Sequence, residues 1–213
     1  MKNTVRYSFF VERNSNVTRL LILNEKKSQA EKFADYLGGM SGEFEGNPYD
    51  IVYAAGHLLQ LNAPNEMVDP NLAAKYADWQ NLDNFPWNPL DLNWSKQVIK
   101  SKQRYIDNIK SNLPGHDVII IASDNDPSGE GDVLGWEIVD YLNWQNEVWR
   151  IRFKGDDSAN YVIDSLHKPE KATVSEQDAQ GILVKGKSRQ RFDFLTGLEE
   201  SRIATELARE QGY

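Results

Sequence analysis

Asp124 and Asp126 stand one residue apart in SDNDPSGEG, directly after the apolar run VIIIA. Three chemistries suit acids placed this way: a calcium loop, a phosphate-cradling turn, and a magnesium site acting on a phosphate. The stretch D-N-D-P-S-G matches the opening of an EF-hand loop, glycine included, but the last loop position requires a bidentate glutamate and holds Gly135. An EF-hand also needs a helix ahead of its loop, and VIIIAS has the make-up of a strand. A phosphate-cradling turn collects glycines and N–H donors, whereas two carboxylates repel a phosphate. A cation between them removes that repulsion. Mg²⁺ is commonly held by one or two carboxylates, with positions left for phosphate oxygens.

Glu25 directly follows the apolar run LLILN, and His57 follows Gly56 in AAGHLLQL. Each of these four residues also has a plain structural use. Asp126 before Pro127 suits a helix N-cap with proline at the first helical position, leaving Asp124 to solvent. Glu25 suits a cap or a surface, and His57 suits a hydrogen-bonded structural imidazole. What favours chemistry is the combination: an acid at one strand end, a D-x-D-x-x-G turn at another and a Gly-His pair after a third.

Bringing such residues together requires strands that end on the same side. Short apolar runs (RLLILN, DIVYA, HDVIIIAS, EVWRIRF) alternate with amphipathic ones, the rhythm of an α/β domain with a parallel sheet. Ligands of such sheets gather at the carboxyl ends of the strands, where Glu25 and Asp124 fall. Helices are expected over KSQAEKFADYLGG, from Ser95 to Leu113, from Glu130 to Tyr141, over SANYVIDSLH, and from Ser175 onward. Between NAPNEMVDP and NFPWNPLDLNW lies a polar, proline-bearing insertion. Its aromatic residues Trp79, Phe85, Trp87 and Trp94 make it too apolar for a disordered linker.

The chain has 213 residues, 40% hydrophobic and 26% charged, which suits a soluble globular protein. No run is apolar and long enough to span a membrane, and the N-terminus lacks a signal-peptide core, so a cytoplasmic location without membrane contact is expected. The absence of cysteine removes disulfides, thiolate zinc sites and thiol nucleophiles together. A net charge of −8 argues against whole-surface attraction to nucleic acid. The run KGKSRQR, with Lys185, Lys187, Arg189 and Arg191, is a local exception that also suits a solvated helix face. The chain stops at Tyr213 without a capping signal, as a fragment would.

Taken in order, these pieces resemble the Toprim domain, and within it the amino-terminal part of type IA DNA topoisomerases, topoisomerase III above all. EKKSQA is similar to the family's opening, AAGHLLQL to its glycine-histidine segment, and FPWNPLDLNW to its proline-tryptophan stretch. DNDPSGE resembles the D-x-D turn, and RFDFLTGLEESRIAT the lead into a helical DNA-binding domain. The resemblance implies an N-terminal extension over residues 1–18, a Rossmann-like Toprim domain over 19–155 and the start of a helical DNA-binding domain over 156–213.

It further implies Mg²⁺-dependent breakage and rejoining of single DNA strands, an isomerase activity using a tyrosine outside this chain, so the fragment alone is expected to be inactive. Single-stranded DNA regions are the implied partner, and no nucleotide cofactor is expected. Glu25 would be the acid or base at the scissile oxygen and lie near the metal, with Lys26 on the phosphate. Asp124 and Asp126 would hold Mg²⁺, with Glu130 a further acid. His57, Arg189 and Arg202 would contact DNA. Pro127 and Ser128 depart from the arginine and third acid usual in the family, and Lys27 replaces a proline. That pattern leaves open a stand-alone Toprim nuclease or primase-like protein, or a degenerate DNA-binding module.

Overall fold

The computed structural model describes residues 17–124, 126–152, 158–172 and 181–212. The chain opens with β1 (Leu20–Asn24), whose five residues are all buried, as expected of a run with no polar alternation before Asn24. Helix α1 (Lys27–Leu37) follows and ends at Gly38 in the left-handed conformation. A hairpin of β2 (Ser41–Phe44) and β3 (Asn47–Tyr53) returns the chain to the sheet. The short β4 (Leu59–Leu61) and β5 (Lys96–Val98) pair outside the main sheet. Between them lie 3₁₀ turns and the short α2 (Ala73–Ala77).

Next come α3 (Gln103–Asn112), β6 (Val118–Ala122), α4 (Glu130–Tyr141), β7 (Glu147–Arg150), α5 (Ala159–His167), β8 (Glu170–Ala172) and α6 (Gly181–Glu210). The main sheet has the order β2-β3-β1-β6-β7-β8. Its four inner strands are parallel, and the edge strands β2 and β8 are antiparallel to their neighbours. This is the expected α/β architecture with helices on both faces, followed by a C-terminal helix. The sheet's last strand lies beyond residue 155, and Val162 and Leu166 of α5 belong to its core.

Alternate residues of β1 and β6 divide the core in two. Leu21, Leu23, Ile119 and Ile121 pack with Ile106 and Ile109 of α3 and with α4. Leu20, Ile22, Val118 and Ile120 pack with Ala30 and Phe33 of α1 and with α5. The aromatic insertion forms a third cluster, in which Met67, Tyr76, Trp87 and Leu92 are buried and Phe194, Leu195 and Leu198 of α6 pack against them. Its aromatic content is therefore used as an anchor for α6.

Two local expectations are corrected. Ser95–Leu113 is not one helix: Lys96–Val98 is a strand, Lys100–Lys102 a 3₁₀ turn, and the α-helix begins at Gln103. Pairing with Leu59–Leu61 and the pull of Lys96 toward buried Glu137 outweigh the helical spacing of Val98 and Ile99. The helix after the D-x-D turn begins at Glu130 with Gly129 as its N-cap, so Asp126 does not cap it. Residues 1–16 of the expected extension, the end of EVWRIRF and the start of the last helix at Ser175 lie outside the described residues.

Candidate active site

The parallel register aligns β1, β3 and β6, pairing Asn24 with both Tyr53 and Ala122, so the three strands leave the sheet together. Glu25 follows β1 directly. The Ala54 N–H donates to Asn24 O and the Gly56 N–H to Glu25 O, which carries the Gly-His segment alongside the first loop. Lys102 also donates to the Ala55 carbonyl. Asp124 follows β6 by two residues. A cleft of about 270 Å³ at this end is lined by Glu25, Lys26, Gly56, His57, Asp124, Asp126 and Glu130, among others. The tertiary fold thus gathers six of the eight residues singled out in the sequence.

Gln29, which sequence reasoning missed, ties two corners of the cleft together. Its side-chain carbonyl accepts from the Glu25 N–H at 3.0 Å, and its amide donates to Asp124 Oδ1 at 3.1 Å. Its sequence signals were its membership of the EKKSQA opening and its place four residues after a strand-end acid, in the first turn of α1. Lys26 pairs with Glu25 at 2.9 Å while staying largely exposed. The hydrogen bond to Glu25 and then its charge raise the Lys26 pKa above the ordinary value, against a smaller effect of burial, so this lysine is cationic at neutral pH.

Asp126 is held by its own turn: both carboxylate oxygens accept from Ser128, one from the backbone N–H and one from the hydroxyl, each at 2.6 Å. The hydroxyl bond is the main reason its pKa lies below the usual carboxylate range. Ser128, at a position of departure from the resembled family, therefore orients the second aspartate.

His57 is half-buried between two acids, with Nε2 3.5 Å from Glu130 and Nδ1 3.6 Å from Glu137. The second contact is an ion-pair distance rather than a hydrogen bond. The Glu137 carboxylate, seconded by Glu130 and opposed by burial, raises the imidazole above its ordinary pKa. Burial alone would raise the Glu137 carboxyl, but His57 and Lys96 outweigh it and leave that group below the usual range. Lys96 also donates to Gln190 of α6 at 2.5 Å. Glu137 and Lys96 were not legible as site residues, because a glutamate mid-helix and a lysine in a polar run are ordinary surface residues in sequence.

Helix α6 lies against the turn that carries Asp126. Lys185 donates to Pro127 O at 2.7 Å. Gly186 meets Gly129 so closely that a Cβ on Gly186 would lie 2.7 Å from Gly129 O, while Gly129 itself sits at φ +83°. This contact sets Arg189 into an adjoining pocket with His57, Ser128 and Glu130. Arg202 lies roughly 20 Å further along the helix. Its guanidinium sits 4.7 Å over the Trp79 ring, against the aromatic insertion rather than in the cleft.

The cleft's donors are carboxylate oxygens and one imidazole, with no thiolate, a set suited to a hard divalent cation. Among the described residues, no three His, Asp or Glu side chains already stand grouped to hold a metal ion. Mg²⁺ needs only one or two carboxylates when waters and substrate phosphates complete its shell, and a carboxylate that accepts two hydrogen bonds keeps lone pairs for a cation. The residues present fit such an ion.

A parallel sheet with paired acids at the carboxyl ends of its central strands defines the class, and the Toprim domain model matches residues 20–154. The chain belongs to the Toprim family. It is 27% identical over 193 residues to DNA topoisomerase 3 of Bacillus cereus, covering 89% of this chain and 25% of that protein. It is 26% identical over 200 residues to DNA topoisomerase 1 of Alkalihalophilus pseudofirmus, covering 90% and 26% respectively. With DNA topoisomerase 1 of Bacillus anthracis it shares 29% identity over 164 residues, 77% of this chain and 17% of that one. The chain spans about a quarter or less of the length of these curated relatives, and it is a Toprim region related to theirs.

Proposed function

We propose that this chain is the metal-binding Toprim part of a type IA, topoisomerase III-like enzyme that breaks and rejoins single DNA strands through a tyrosine outside the chain. The observation that carries the reading is the single cleft shared by Glu25, Lys26, His57, Asp124, Asp126 and Glu130. In the reaction, a tyrosine oxygen bonds to the scissile phosphorus and the bond to the 3′-oxygen breaks. Glu25 carries the proton that the tyrosine gives up to the departing 3′-oxygen, and carries it the other way when the strand is rejoined. Lys26 supplies a cation to the phosphate as charge shifts onto its oxygens. Glu25, Asp124 and Asp126 would hold Mg²⁺, which when bound offsets the repulsion between these acids and the DNA backbone. His57 and Arg189 bind the strand beside the break, with Glu137 and then Glu130 favouring the charged form of the imidazole. Residues 19–155 are the Toprim domain in this reading, with β8 adding an edge strand from beyond that bound, and α6 belongs to the start of the DNA-binding domain.

Calorimetric titration with Mg²⁺ tests the metal site: the unaltered chain binds and Asp124→Ala binds far more weakly. Plasmid relaxation tests the division of labour, with none expected from the chain alone. Robust Mg²⁺-dependent relaxation by the chain would overturn the assignment of the tyrosine elsewhere. Pro127 and Ser128 favour a second reading, a stand-alone Toprim nuclease or primase-like protein. Mg²⁺-dependent hydrolysis of DNA that disappears in Asp124→Ala would select it. Salt-sensitive binding of single strands with no response to Mg²⁺ would instead indicate a catalytically degenerate DNA-binding module.

A further inference from the structure

We propose that Arg150, neutralised by Asp132, is a positioning residue that fixes the backbone from which Asp124 projects; the link to metal affinity rests on the reading of the cleft given above. Arg150 ends β7 and is 1% exposed, and Asp132 in the first turn of α4 is fully buried. A buried ion pair is poor evidence of a stabilising role, because desolvation offsets most of its attraction. The hydrogen bonds point to a different purpose.

The β6–β7 ladder pairs Ile121 with Arg150, and the Ile151 N–H still donates to Ile121 O. Beyond that point the chain runs on toward Asp124 with no strand beside it on the β7 side among the described residues. The guanidinium fills that place. Nη1 donates to Ile121 O at 3.2 Å and to Ser123 O at 2.7 Å, and Nη2 donates to Asp124 O at 3.2 Å. Nε faces Asp132 Oδ1 at 3.1 Å, and Asp132 Oδ2 also accepts from Arg152 at 3.1 Å. A planar fork of donors is the side chain able to bridge several carbonyls while holding a carboxylate; an ammonium cannot cover the same directions.

The opposite side of the same peptide is closed by α4. Ser123 Oγ donates to Gly131 O at 2.6 Å, and a Cβ on Gly131 would lie 2.2 Å from Asp124 O. Asp124 O is therefore held between Gly131 and Arg150 Nη2. Its carboxylate is directed at Gln29, across the cleft from Glu25. Sequence spacing places the two aspartates near each other; Arg150 fixes where the first one points.

The test is Arg150→Lys, which keeps the charge and removes the fork, read in three ways. In solution NMR, the carbonyl-carbon resonances of Ser123 and Asp124 shift and broaden while those of β1 and α1 stay in place. The Mg²⁺ dissociation constant rises about ten- to a hundredfold, the range typical when a group supporting a metal ligand is lost. Adding Asp124→Ala to Arg150→Lys weakens Mg²⁺ binding no further than Asp124→Ala alone. Unchanged loop resonances, or a perturbation spread evenly through β1, β3 and β6, would overturn the proposal in favour of plain packing. If the unaltered chain binds no Mg²⁺, the metal reading of the cleft fails, and the loop resonances alone then decide the positioning role. Should Arg150→Lys fail to fold, Asp132→Asn keeps the fork and its carbonyl bonds and is expected to leave the Ser123 and Asp124 carbonyl resonances in place; their displacement in that variant would overturn the fork's role in favour of the ion pair.

Discussion

At the scale of single residues, the cleft works by pairing each charge with a partner that sets its direction. Lys26 is paired with Glu25, Asp126 with Ser128, Asp124 with Gln29, and His57 with Glu130 and Glu137. The His57 arrangement has a measurable consequence. Its folded pKa is raised mainly by the Glu137 carboxylate, so the stabilisation this contact supplies is fully present below the unfolded value near 6.5 and is lost as pH rises through the folded value. Glu137→Gln is expected to return the imidazole pKa toward or below its ordinary value, read from the His57 ring resonances against pH. It should also flatten the fall in stability above neutrality. An unchanged titration in that variant would mean that Glu130 alone sets the His57 charge. Asp124, Asp126, Glu25 and His57 were legible in the sequence because acids and a Gly-His pair at strand ends form a recognisable combination. Gln29, Glu137, Lys96 and Arg150 were not, since their roles arise from partners 41 to 95 positions away or from backbone carbonyls.

At the scale of elements, the two ends of the sheet have different work. The carboxyl ends hold the cleft, and the opposite end is fastened by a polar cluster centred on Asp50 of β3. Its carboxylate accepts from Ser41 of β2 at 2.5 Å and faces His116, just before β6, at 3.0 Å and Arg19, just before β1, at 3.8 Å. The Ser41 hydrogen bond, followed by His116 and Arg19 and opposed by burial, holds the Asp50 pKa below the ordinary range. A depressed carboxyl contributes stability above its unfolded pKa and loses it as pH falls through the folded one. Asp50→Asn is thus predicted to lower stability by about 1 kcal/mol at pH 7, the typical net worth of such hydrogen bonds, and by less at pH 3. Denaturant melts at the two pH values check it; an equal loss at both would show that the charge is irrelevant. β2 itself was missed in the sequence because SGEF is polar and exposed, and an edge strand with solvent on both faces has no hydrophobic alternation to reveal it.

At the scale of the whole molecule, the proposed function requires this acidic chain to bind DNA through a localised basic face. Arg189 sits beside the cleft while Arg202 is stacked on Trp79, so the two arginines, similar in sequence, are predicted to behave differently. Arg189→Ala should weaken single-strand binding and reduce the slope of log K against log salt by about 0.7, the loss of one phosphate contact. Arg202→Ala should leave that slope unchanged and lower stability by about 0.5–1 kcal/mol through the lost cation–π contact. Fluorescence-anisotropy titrations at several salt concentrations separate the two; equal slopes in both variants would contradict the placement of α6. Among the described residues, no helix is long and apolar enough to cross a membrane.

The sequence by itself determined the α/β rhythm, the buried strands β1 and β6, the limits of α4 and the strand-end positions of the acids. These are local properties, set by hydrophobic periodicity and by residues adjacent in the chain. Tertiary structure decided what each acid faces, which arginine borders the cleft and which is spent on an aromatic ring, and that Lys96 leaves a helical pattern to reach Glu137. Those outcomes depend on strand register and on contacts between distant segments, such as Gly129 against Gly186 and Arg150 against Asp124. No local pattern encodes their geometry, because it is fixed only when the sheet, α4 and α6 pack together.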